Sequence, residues 1–176
     1  MEYKVNVMEY KDAIKQSMEK LAKDKKVVFI GYNISFGSQA YGTLKDVPIN
    51  QKIETPVAEN LMIGLAMGMA IEGFKPVVFF ERHDFILNSL DAISNHLDKF
   101  ELLTGIKLPI IIRATVGSKK PLHPGPQHVQ DFTEAFKKLI NFKIYEPKTA
   151  LEVLEVYEIA MKSKEPVMII ERKDLY

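Results

Sequence analysis

The sequence predicts an α/β domain: a three-layer, doubly wound, mostly parallel sheet of about five strands with helices on both faces. Three observations carry this. Short runs of β-branched and aromatic residues recur along the chain. Segments with apolar residues at helical spacing separate them. The runs are apolar throughout rather than alternating, as strands covered on both faces require, and parallel neighbours need a crossover, most simply a helix. No linker interrupts the pattern, so residues 1–176 are expected to form a single domain.

Tyr10, Ala13, Ile14, Met18, Leu21 and Ala22 lie three and four apart, one apolar stripe of a helix. Val27, Val28, Phe29 and Ile30, closed by Gly31, read as a buried strand. Residues 31–54 carry Gly31, Gly37, Gly42 and Pro48 and are expected to be irregular. A loop of that length in a compact domain usually serves function. Thr55 and Pro56 are expected to open the next helix, Thr as N-cap and Pro at the first helical position. It runs to about Glu72, is apolar all round, and is expected to be buried. Gly64 and Gly68 stand four apart on one face, each costing about 1 kcal/mol against Ala. Close approach of another backbone or a ligand would justify them.

The alternation then repeats. Residues 76–80 read as a strand, and Ile86, Leu87, Leu90, Ile93, Leu97, Phe100 and Leu103 mark one long helix. Residues 109–112 form a strand and 116–127 a Gly/Pro/Lys-rich loop. Phe132, Ala135, Phe136 and Leu139 mark a helix, 142–145 a short strand, Leu151 to Ala160 a helix, and 166–170 the last strand.

Composition excludes several functions. Lys plus Arg is 24 and Asp plus Glu 23, a net charge of +1. That gives no electrostatic basis for binding nucleic acid or an anionic membrane. Cysteine is absent, which removes disulfides, zinc thiolate sites, iron–sulfur clusters and a cysteine nucleophile, and suits a reducing cytoplasm, the expected location. Residues 1–26 are charged throughout and show neither a membrane-spanning nor a secretory segment. Neither a P-loop nor a Gly-x-Gly-x-x-Gly segment occurs.

In such sheets ligands sit beyond the carboxyl ends of the strands, here the loops 31–54, 81–85 and 113–128. Glu59 lies in the opening turns of an otherwise apolar helix. There it is either a solvated carboxylate favoured by the helix dipole or a buried, paired one able to hold or share a proton. Glu81, Arg82, His83 and Asp84 form a charged run after an apolar strand, most simply a solvated turn. Phe85, taken alone, reads as core. His128 sits in a Gly/Pro-rich loop, where a histidine can donate a proton or hydrogen bond. His123 lies five residues earlier, but no carboxylate or third histidine is placed with the pair, so no metal site is expected.

The spacing around Glu59 adds to this. Glu59, four residues, Gly64-Leu65, two residues, Gly68-Met69 resembles the pyrimidine-binding motif of thiamine diphosphate enzymes. Thr55-Pro56-Val57-Ala58-Glu59, Gly73-Phe74-Lys75-Pro76-Val77, Asp84-Phe85, Asp91-Ala92-Ile93-Ser94-Asn95 with Lys99, Gly125-Pro126-Gln127-His128-Val129-Gln130 and Glu171-Arg172-Lys173-Asp174-Leu175-Tyr176 follow in order. The set resembles the N-terminal, pyrimidine-binding domain of the β subunit of 2-oxo acid dehydrogenases (pyruvate, branched-chain, acetoin). It is similar, more distantly, to the corresponding domain of transketolase and deoxyxylulose-phosphate synthase. The resemblance covers nearly the whole chain.

The resemblance implies a cofactor, thiamine diphosphate, whose thiazolium serves as electron sink in cleaving a 2-oxo acid or ketose. Glu59 is then both catalytic and cofactor-binding, hydrogen-bonded to a ring nitrogen of the aminopyrimidine. Phe85 stacks on that ring, and Glu81 is placed with the cofactor contacts. His128 faces substrate as a catalytic group. His83 stands where the family usually has an aromatic or apolar residue, either as an extra proton carrier or substrate contact or as an exposed loop residue. His123 is a substrate candidate without a family counterpart. Tyr32 stands where β subunits tend to have an acidic residue, Val129 replaces the usual Ser, and the 31–54 loop is shorter than typical.

No Gly-Asp-Gly segment occurs, so the diphosphate and Mg2+ are expected to be held mainly by an α-type partner subunit. Neither a diphosphate-binding domain nor a C-terminal domain is expected within residues 1–176. Homodimerisation within a heterotetramer is expected, through the 90–103 helix and the glycine-lined helix. The implied function is the pyrimidine-binding subunit of a two-chain enzyme that cleaves a pyruvate-like 2-oxo acid and transfers the acyl or two-carbon unit. The alternatives are a split transketolase or acyl-transferring carbon–carbon ligase subunit and, from another class, a non-catalytic scaffold or regulatory subunit.

Overall fold

The computed structural model describes residues 8–120 and 123–176. Part of the expected 116–127 loop, and the first residues of the N-terminal stretch, lie outside them. The helices are α1 (Tyr10–Leu21), α2 (Glu59–Ile71), α3 (Asp98–Thr104), α4 (Thr133–Leu139) and α5 (Ala150–Lys162). The strands are β1 (Val27–Gly31), β2 (Lys52–Glu54), β3 (Lys75–Phe80), β4 (Ile111–Val116), β5 (Lys143–Tyr145) and β6 (Val167–Arg172). The six pair in parallel in the order β2-β1-β3-β4-β6-β5.

Side-chain alternation divides the apolar strands between two cores. Phe29, Val77, Phe79, Ile111 and Ile169 pack against α1 and α5. Ile30, Val78, Phe80, Ile112, Met168 and Ile170 pack against α2 and α4. Burial on both faces accounts for the unbroken apolar runs.

β2 makes the sheet six-stranded where about five strands are expected. It is three residues long with two charged, and pairs with β1 across the registers Phe29↔Lys52 and Gly31↔Glu54. A short charged edge strand is how sheets blunt their edges, and it leaves no apolar signal. The Glu54 carboxylate accepts the backbone N–H groups of Asn33 (2.6 Å), Ile34 (3.1 Å) and Ser35 (2.7 Å), pinning the chain where it leaves β1.

Three other expectations are corrected. Thr55 does not cap α2: its N–H donates to the Gly31 carbonyl at 2.8 Å, prolonging the β1–β2 pairing, and the helix begins at Glu59. Nor is α2 buried all round. Met62, Ile63, Ala66 and Ala70 face the core, but Leu61 is 49% and Ile71 52% exposed. Among the described residues, a Cβ on Gly64 or Gly68 would meet nothing within 4 Å. Finally, the long helix expected over 86–103 is composite: a 3-10 turn (Phe85–Ser89), a π-helical stretch (Ala92–Leu97) and then α3. Ser94 Oγ donates to the Leu90 carbonyl at 2.8 Å, taking an acceptor that a regular α-helix gives to the backbone.

β4 also continues past residue 112, through Arg113. The Arg113 fork donates to both Glu171 oxygens at 3.0 and 2.9 Å and to Thr43 Oγ1 at 3.1 Å. Tyr157 and Tyr176 hydroxyls donate to the same carboxylate. Both charges of this pair are fully buried, between the sheet and α5. Among the described residues no helix is long and apolar enough to cross a membrane.

Candidate active site

The helix-dipole end of α2 carries Glu59 in its first turn, which favours a negative charge there. The side chain is nevertheless only 5% exposed. Its Oε2 accepts from Asn88 Nδ2 at 3.2 Å, and its main-chain carbonyl accepts from Ser89 Oγ. Asn88 and Ser89 belong to the 3-10 turn that starts at Phe85, so one short element connects the carboxylate to the aromatic ring. Tyr32, just past β1, completes the surroundings. Burial first, then the Glu59 charge, pushes its phenol well above the ordinary range, so it stays protonated. Its buried hydroxyl has no hydrogen-bond partner among the described residues.

The loops after β3 and β4 bring Phe85 and His128 together, the His128 ring edge-on to Phe85 with centroids 5.4 Å apart and planes at 81°. Side chains and backbone both hold this pairing. Asp84 Oδ1 accepts from the Gln130 backbone at 3.3 Å and from its side-chain amide at 2.9 Å. A Cβ on Gly117 would fall 1.8 Å from the His128 carbonyl oxygen, so only glycine lets these two backbones meet. His128 Nδ1 is buried and unpartnered among the described residues.

Glu81 is half-buried, its Oε2 accepting from Asn33 Nδ2 at 3.2 Å. His123 is exposed and accepts the Gly125 N–H at 3.0 Å, closing a local turn. His83 is not an exposed loop residue: it is fully buried, its ring stacked on Phe136 at 5.8 Å and tilted against Phe132. Its Nδ1 accepts the Phe132 N–H at 3.2 Å, which puts the proton of the neutral ring on Nε2. Among the described residues no three potential ligands converge as a metal site would require. The sequence reading missed Asn88, Ser89 and Gly117. A polar pair on the turn after Phe85 and a glycine directly after an apolar strand were the available signals.

Burial pulls His83 from 6.5 to about 4, with Asp131 and Asp84 opposing too weakly to cancel it. The folded protein takes up this proton only near pH 4, the unfolded chain near 6.5. The stability that the neutral ring provides is full above pH 6.5. It is lost as pH falls toward 4, by up to about 3 kcal/mol. Denaturant titrations at several pH values should show the difference between wild type and His83→Phe changing through that window and level outside it. A constant difference would remove the assignment.

The arrangement is a buried carboxylate at a helix start, an aromatic ring reached through one turn, and a histidine held against that ring at the carboxyl edge of a parallel sheet. The family model described as the pyrimidine-binding domain of transketolase matches residues 6–176. The chain belongs to this family. The pyrimidine-binding domain here is 28% identical over 173 residues to the pyruvate dehydrogenase E1 component subunit beta of Rickettsia conorii, covering 94% of this chain and 52% of that protein. To the mitochondrial subunit of that name in Saccharomyces cerevisiae it is 28% identical over 176 residues, covering 96% and 48%. The chain therefore spans about half the length of the curated relatives it matches. Among solved structures, a split-gene transketolase described as an inactive beta4 tetramer superposes with a TM-score of 0.73 at 18% identity, over 96% of this chain and 52% of that one. At that identity the likeness establishes the fold. The family is one of thiamine diphosphate-dependent enzymes.

Proposed function

We propose that this chain is the pyrimidine-binding half of a two-chain thiamine diphosphate-dependent enzyme. The enzyme cleaves a pyruvate-like 2-oxo acid and passes on the acyl or two-carbon unit. The observation that carries this is Glu59, a buried carboxylate that accepts from the Asn88 amide, at the position that matches the family motif's glutamate.

The residues fit an aminopyrimidine. Glu59 offers a carboxyl oxygen in low-polarity surroundings, Phe85 an aromatic surface, and Tyr32 and His128 buried polar atoms without partners among the described residues. When bound, thiamine diphosphate supplies the electron sink for cleavage beside a carbonyl. The Glu59 carboxyl group would hydrogen-bond a ring nitrogen of the bound aminopyrimidine, a bond that the dry environment strengthens. Phe85 orients the ring. His128 holds or donates a proton to oxygen developing negative charge on the substrate. Glu81 borders the cofactor site. His83 fixes Phe132 and the loop beyond His128 rather than touching substrate, and His123 reaches the substrate entrance.

The diphosphate and Mg2+ fall to an α-type partner carrying Gly-Asp-Gly, a segment this sequence lacks. The outer face of α2, with Leu61, Gly64, Gly68 and Ile71 uncovered, meets a second copy within a heterotetramer. The assembly works in the cytoplasm. A split transketolase is the second reading, favoured by the likeness to the split-gene structure. A non-catalytic scaffold would have no use for a buried glutamate.

The test is calorimetric titration of thiamine diphosphate with Mg2+ into this chain, into the co-purifying α-type subunit, and into the pair. Binding by the pair and not by this chain alone is expected. Tight Mg2+-dependent binding by the isolated chain would overturn the split site.

A further inference from the structure

We infer that Asp84 is a positioning residue, which sets His128 against Phe85 by holding the segment just beyond the histidine. Its catalytic consequence rests on the reading proposed above, in which His128 meets substrate.

Asp84 stands at the N-cap of the 3-10 turn Phe85–Ser89. An aspartate there ordinarily accepts a backbone N–H of its own turn. This one makes no capping bond. Instead its Oδ1 reaches a segment 46 residues further along and takes both donors of Gln130, the backbone N–H at 3.3 Å and the side-chain amide at 2.9 Å. The residue is buried, and Oδ2 has no partner among the described residues. A buried acceptor left unpaired costs free energy. Local chemistry favours the cap, and the carboxylate forgoes it for the distant contact.

The neighbouring residue makes the same reach. His83 Nδ1 accepts the Phe132 N–H at 3.2 Å. The His83 N–H donates to the Thr115 carbonyl at 2.8 Å, which fixes both residues to the end of β4. Asp131, between the two held positions, turns the other way, accepting from Arg172 at 2.8 Å and from the Thr133 N–H at 3.0 Å. Residues 130, 131 and 132 are thus each tied to a different partner. His128 lies two residues before this anchor. No bond at Nδ1 fixes its ring among the described residues. Its orientation therefore comes from the backbone beyond it and from the edge-on Phe85 ring, 5.4 Å away. Asp84 governs both, Phe85 as its chain neighbour and His128 through Gln130. Glu59 is tied to the far end of the same turn, through Asn88 and Ser89. Loss of the Asp84 carboxylate should therefore disturb His128 and spare the cofactor contacts.

The test has a structural arm and a kinetic arm. In the 176-residue chain alone, NMR should show a nuclear Overhauser contact between the Phe85 and His128 rings. Asp84→Ser caps a turn about as well as aspartate, but its oxygen ends one bond short of Gln130, so the contact should be lost. Asp84→Asn still presents an acceptor oxygen there and should restore it. In the assembly with the α-type partner and pyruvate as probe, Asp84→Ser should lower kcat about tenfold, as a misplaced group does. The Kd of thiamine diphosphate with Mg2+ should stay within about twofold, and Asp84→Asn should recover most of the rate. Gln130→Ala, at an exposed position, should act in the same direction and add nothing to Asp84→Ser. It decides the matter if Asp84→Ser fails to fold. An Overhauser contact that survives Asp84→Ser, a serine variant with wild-type kcat, or an asparagine variant no better than serine would overturn the assignment. A wild-type pair inactive on pyruvate would overturn the proposed reaction and not the anchor, which the Overhauser contact decides.

Discussion

In the proposed two-chain enzyme, Glu59→Gln should lower kcat by at least about 100-fold, the usual range for removing a positioned acid–base group. The melting temperature should stay close to wild type. The expectation rests on geometry. Glutamine matches glutamate in shape, and its amide oxygen can still accept from Asn88 Nδ2. The Ser89 contact is to the main chain and survives any side-chain change. What disappears is a carboxyl group in a nearly dry position, the only feature of the variant that differs chemically. Steady-state rates and thermal melts on the same samples separate the two outcomes. A variant within a few-fold of wild-type kcat would place the proton elsewhere and return α2 to a structural role. A variant that fails to melt cooperatively would show that the charge stabilises the helix start instead.

Elements that state themselves locally are legible in the sequence. α1 appears in its three-and-four spacing, and β1, β3 and β6 in short apolar runs. Errors arise where an element depends on a distant partner. β2 has no apolar pattern of its own and exists because β1 lies beside it. Thr55-Pro56 has the chemistry of a helix start, but the Thr55 N–H is taken by Gly31. The strand expected over 109–112 stops short of Arg113, because the counter-charge that lets Arg113 be buried lies 58 residues further along. The site divides in the same way. Glu59 announces itself because its glycines repeat at helical spacing on the same helix. His83 sits in a charged run, and its burial comes from Phe132 and Phe136, which nothing near residue 83 foretells. The fit of Gly117 against His128 likewise exists only once two loops have met.

That distant pairing sets the largest expected stability effect. Glu171→Ala should cost about 3–5 kcal/mol, because it leaves the Arg113 charge buried and uncompensated. It also strands the Tyr157 and Tyr176 hydroxyls, whose acceptor it removes. Set against the ~5–15 kcal/mol of a typical domain, this loss is large enough to shift the midpoint of urea unfolding far down or to abolish folding. The pair's own net contribution is a separate quantity, since both ions are desolvated to form it. Arg113→Met combined with Glu171→Leu removes both charges and keeps most of the volume. It should therefore be more stable than Glu171→Ala alone, although it loses more polar contacts. The ordering follows from which state leaves a charge unpartnered, and not from how many hydrogen bonds are lost. If Glu171→Ala costs less than about 1 kcal/mol in urea titrations, water reaches Arg113 and the dry clamp between β4, β6 and α5 is not what joins that side of the sheet.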